Sequence, residues 1–101
     1  MRLGDYECKT TFLMDFEIAE NFGGAPAIKD TFRRAFAEWR ENVVYLTELV
    51  MVLNWKMWQY DELGNARMTR LYYDLFMKAY DWGCENLKNA DDRQYFFRTL
   101  D

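Results

Sequence analysis

Apolar residues recur through residues 27–63 mostly at alternating steps of four and three: Ile28, Phe32, Phe36, Trp39, Val43, Leu46, Val50, Leu53, Met57 and Tyr60. A repeat of about 3.5 residues is helical. The stretch contains neither glycine nor proline, so nothing in it forces a break. Two readings fit. One is a single helix of about 55 Å at about 1.5 Å per residue. The other is two helices meeting near Arg40-Glu41-Asn42, with Asn42 capping the second. Mean helix length, about three turns, favours the break. The unbroken hydrophobic phase from Trp39 through Val43 to Leu46 favours continuity, and the single helix, bent if need be, is the preferred reading.

A second apolar line runs along the same helix. With Leu46 at zero and about 100° per residue, Val43, Leu49, Val50, Leu53, Met57 and Tyr60 fall within about 60° of it. Val44, Met51, Trp55 and Trp58 fall on the far side. A helix apolar on two faces is central in a bundle or presents one face to a partner. The bundle reading covers both faces with the rest of the chain. The partner reading makes Val44, Glu48, Met51, Trp55, Trp58 and Glu62 a contact surface, since Trp and Met are enriched in such patches.

Shorter elements flank this stretch. Residues 1–9 read as a polar lead with one aromatic, Tyr6, that frays or lies along the body. Thr10-Thr11 offers an N-cap for a helix over about 11–22, which carries Phe12, Leu13, Phe16, Ile18, Ala19 and Phe22. Gly23-Gly24 stops it, and Ala25-Pro26 starts the long stretch at about 26. Leu63-Gly64-Asn65 ends that stretch. A helix over about 65–88 follows so closely that the two must form an antiparallel hairpin. Its Met68, Tyr72, Leu75, Ala79 and Trp82 should face Met57, Leu53 and Val50. Ala79 and Gly83 are small enough to admit a close neighbour or a ring from the preceding helix. Asn89-Ala90-Asp91 breaks it, and Asp91 with Gln94 resembles a capping box for a last helix over about 91–99. Tyr95, Phe96 and Phe97 there suggest a docked terminus. The expectation is one all-α domain over 1–101: a small helical bundle on one long, or once-broken, central helix with an antiparallel helical hairpin.

Composition narrows the function. Half of the 101 residues are hydrophobic and 19% are aromatic, enough to fill a modest core. No apolar run approaches the ~18–20 residues of a membrane span. The first residues lack the apolar core of a signal peptide, so a cytoplasmic setting is expected. The net charge of −4 disfavours direct nucleic-acid binding. Histidine is absent, which removes imidazole acid–base catalysis and the commonest zinc ligand. Cys8 and Cys84 share no CxxC spacing and read as free thiols. Asp61-Glu62, Asp91-Asp92 and Glu38 with Glu41 sit at helix ends or on polar faces and read as solvated. No catalytic, metal or cofactor residue is therefore expected. Asn54 reads as a buried register-fixing amide or a partner contact. Tyr72-Tyr73 with Arg67 and Arg70 is a candidate aromatic–basic surface that the acidic balance disfavours.

Four segments carry a resemblance: Thr10-Thr11-Phe12 with Asp15-Phe16, Ala27-Ile28-Lys29-Asp30-Thr31-Phe32, Tyr45-Leu46-Thr47-Glu48-Leu49-Val50-Met51-Val52-Leu53-Asn54, and Tyr95-Phe96-Phe97-Arg98-Thr99-Leu100-Asp101. They resemble a family of small uncharacterised proteins of phages and conjugative elements from gut Firmicutes. The resemblance implies no catalytic residue. It implies a mobile-element setting, the cytoplasm of a bacterial host cell, in which small acidic proteins often inhibit host defence, anti-CRISPR proteins among them. The expected function is a non-catalytic protein-binding module, most concretely an inhibitor of a host defence nuclease such as a CRISPR effector. The alternative is a self-associating, homodimeric structural or assembly protein of a phage or conjugative element.

Overall fold

The computed structural model describes the backbone of residues 3–100 and the side chains of residues 12–98. Five helices and no strand occur among the described residues: α1 (Leu3–Phe22), α2 (Gly24–Trp39), α3 (Val43–Glu62), α4 (Ala66–Asn86) and α5 (Ala90–Leu100). The all-α bundle follows the hydrophobic period. The single long helix does not form.

The chain breaks at residues 40–42. Asn42 takes an extended conformation, and its side chain accepts hydrogen bonds from Val44 N at 3.0 Å and Tyr45 N at 3.3 Å. This is the N-cap of α3, satisfying two donors at a helix start. The hydrophobic phase survives the break because both flanks bury on one core. Trp39 and Tyr45 meet edge to face across it, ring centroids 4.4 Å apart.

Two other helix starts also differ from expectation. Thr10 and Thr11 lie inside α1, which begins at Leu3, and not at a helix start. Asn89, not Asp91, caps α5, accepting from Asp91 N and Asp92 N. The two glycine stops behave as expected. Gly24 and Gly64 have φ of +68° and +74°, a region that costs a side chain steric strain. At the end of α3, Gly64 N bonds Asp61 O and Asn65 N bonds Tyr60 O, a Schellman closure. Asn65 then caps α4 through Met68 N.

Helix α3 packs against all four other helices. Its Leu46, Leu49, Val50 and Leu53 are fully buried, with Phe16 of α1, Ile28 of α2, Tyr72 and Ala79 of α4 and Phe96 of α5. Val43, Met57, Tyr60, Met68 and Trp82 are partly buried against this core. Tyr60 stacks on Tyr72 across the α3–α4 hairpin at 5.9 Å. Tyr72 is thus a core residue, not part of an aromatic–basic surface. Arg93 ties α5 to the end of α4 by donating to Cys84 O and Leu87 O. Among the described residues no helix is long and apolar enough to cross a membrane. Cys84 is a free thiol, and the Cys8 side chain lies outside the described residues.

The ring admitted by Gly83 comes from α5. A Cβ on Gly83 would lie 2.6 Å from Cζ of Phe96, and Phe96 is fully buried and cannot swing away. Helix propensity alone would make Gly83→Ala stabilising by about 1 kcal/mol. The overlap is expected to reverse the sign and destabilise the fold by about 1–3 kcal/mol. Chemical denaturation checks this, and a stabilised variant would contradict the packing of α5.

Candidate functional site

The six residues of the candidate surface lie along one line of α3, pointing away from Leu46. The line divides in two. Val44, Glu48 and Met51, in the first half, are half-buried. Trp55 and Trp58 are 51% and 56% exposed, and Glu62 beside them is exposed. The two tryptophans are therefore not core, and the open surface is the C-terminal half of the line. Leu63, just beyond, is also exposed. Asn54 is half-buried. Two large exposed aromatics on one helix face are unusual for a surface with no partner.

A buried charge explains why this half of α3 faces outward. Lys56 is only 2% exposed. Its Nζ lies 3.1 Å from Glu20 and 3.7 Å from Glu17, both on α1. The Tyr72 hydroxyl of α4 donates to the other Glu20 oxygen at 2.5 Å, the short distance of a charge-assisted bond. An ammonium out of water costs several kcal/mol unless a carboxylate meets it. Glu20 is well shielded, with its side chain 13% exposed, whereas Glu17 is 48% exposed and adds little. The network joins α1, α3 and α4, and fixes the rotation of α3 between them. Lys56 Nζ also lies 5.7 Å from the Trp55 ring centroid, within cation–π range.

Sequence reading missed Lys56, taking it for an interruption of the apolar pattern. Its angle carried the signal. It falls about 80° from Leu46, between Leu49 and Val52 and so inside the buried arc. Two grooves open on the surface, between α2 and α4 and between α1 and α2, and no member of the Lys56–Glu20–Tyr72 network lines either. The network joins three helices, α1, α3 and α4. No group of three or more Cys, Asp or Glu among the described residues is arranged to hold a metal ion.

A second exposed apolar line lies on α1: Met14, Ile18 and Phe22. Ile18 and Phe22 border the α1–α2 groove. The sequence reading placed them on a helix without separating them from the buried Phe12, Phe16 and Ala19.

No family model, curated protein or solved structure matches this chain.

Removing the ammonium leaves Glu20 and the Tyr72 hydroxyl without their cation. Lys56→Ala is expected to cost about 3 kcal/mol of stability by chemical denaturation, and a cost typical of a surface lysine would refute the burial. The phenols give a second test. Burial first, and the neighbouring Glu20 carboxylate second, push Tyr60 up to about 12 and raise Tyr72 as well. Above pH 10 the folded state thus binds more protons than the unfolded chain. Stability is full below pH 10 and is expected to fall as pH rises through about 12. Tyr72→Phe should flatten that loss, as measured by denaturation at stepped alkaline pH.

Proposed function

We propose that this protein is a non-catalytic protein-binding module whose contact is the open half of α3. The observation that carries this reading is the exposure of Trp55 and Trp58 on one helix face. Tryptophan dominates binding energetics when a partner buries it. Glu62 on the same line supplies an acidic rim. Val44, Glu48 and Met51, half-buried, continue the line and complete the proposed contact set.

The most concrete form of the proposal is an inhibitor of a host defence nuclease, anti-CRISPR-like. What supports it is the mobile-element setting implied by the resemblance, together with an acidic excess of −4. That charge suits the basic guide or DNA channel of such a nuclease. Self-association through the same two rings is the competing use of the surface.

Affinity capture from a host lysate tests the proposal, with Trp55→Ala/Trp58→Ala as the control. Wild type is expected to recover a CRISPR effector or another defence nuclease. The double variant is expected to keep its circular dichroism and melting temperature while losing the partner. Recovery of no defence factor, or unfolding of the variant, would overturn the reading. Sedimentation showing a dimer that the double variant dissociates would establish self-association instead.

A further inference from the structure

The groove between α2 and α4 has a volume of about 1040 Å³. It runs beside residues 25–37 of α2, with Arg40 just past the end of that helix, and beside 67–81 of α4, the latter a length of about 21 Å at about 1.5 Å per residue. Phe36 and Arg40 reach Trp82 near the far end of α4, so the two helices run parallel. Helix α1 packs on α2 and α3, α5 packs on α3 and the end of α4, and neither α1 nor α5 contributes a lining residue. No helix among the described residues covers the channel left between α2 and α4.

Its charge is opposite to that of the chain. Lys29, Arg33, Arg40, Arg67, Arg70 and Lys78 line it, against two acids, Asp74 and Asp81. Fifteen of the 17 acidic residues lie elsewhere. Arg33 and Arg70 are paired with Asp30 and Asp74. Lys29, Arg67 and Lys78 form no salt bridge among the described residues. The floor is apolar, with buried Phe32 and Leu75 and half-buried Met68, Leu71 and Met77.

We propose that this groove docks an acidic amphipathic helix of a partner protein. An apolar floor between basic rims complements a helix with one greasy face and acidic flanks. Methionines in the floor adapt to the side chains they meet. The length accommodates about 14 helical residues. Nucleic acid is the poorer fit, because single strands bind by stacking bases on free rings. The rings lining the groove, Phe32 and Phe36, stack on each other at 5.3 Å, and Phe36 is further taken by Trp82 and Arg40. Helix α3 contributes no lining residue, so this site is separate from the Trp55/Trp58 face and does not depend on it.

The test is a titration of isotope-labelled protein, followed by amide chemical shifts. The probe is a synthetic amphipathic peptide of about 14 residues, with leucines on one face and glutamates on the other. Shifts confined to α2 and α4 are expected. Arg67→Glu/Lys78→Glu should weaken binding by about tenfold or more, while Arg98→Glu on α5 and Trp55→Ala/Trp58→Ala leave it unchanged. The proposal is overturned by the absence of shifts along the groove or by equal binding of a lysine-faced peptide. It is equally overturned if an oligothymidylate shifts these residues and the acidic peptide does not.

Discussion

The arrangement of the helices turns on one buried ammonium. Lys56 projects from the central helix into a region without water, and it is tolerable there only because Glu20 comes to meet it. Glu20 in turn is held by the Tyr72 hydroxyl. Hydrophobic burial alone fixes the rotation of α3 only weakly, because this helix is apolar on two opposite faces. A charge that must reach one carboxylate does fix it. With α1 pinned to this flank of α3 and α4 hydrogen-bonded to the same carboxylate, the apolar arc from Leu46 to Tyr60 turns inward. Trp55 and Trp58 are left facing solvent.

Much of this was legible in the sequence. The 3.5-residue repeat gave the helical class, the glycine at 64 gave the hairpin, and the Met68-to-Trp82 stripe gave the face that meets α3. The break at residues 40–42 was hidden by a physical coincidence: the three-residue link returns the chain to the same core without losing phase. The early start of α1 was hidden because its first turns lack an apolar stripe. Lys56 could have been read from its helical angle, but a charge inside an apolar run looks like an interruption until a partner is known. That partner, Glu20, is 36 residues away, beyond any local pattern.

The two faces proposed for binding differ in how each could be seen. The tryptophans were visible as a second apolar line, and only burial could decide between core and surface. The basic groove was masked by the net charge, which averages over the whole chain. Each helix does carry its share on one side, Lys29 and Arg33 on α2 with Arg40 at its C-cap, and Arg67, Arg70 and Lys78 on α4. Only the parallel packing of α2 and α4 brings the two stripes together. The result is a small acidic protein with an aromatic face on its central helix and a positive channel lined by other helices.

Whether the buried pair truly orients the bundle is open to direct measurement by a double-mutant cycle over Glu20→Gln and Lys56→Met. The account predicts a coupling of about 2 kcal/mol or more in unfolding free energy, the size expected of groups in one shielded network. A coupling below about 0.5 kcal/mol, as for pairs in open water, would contradict it.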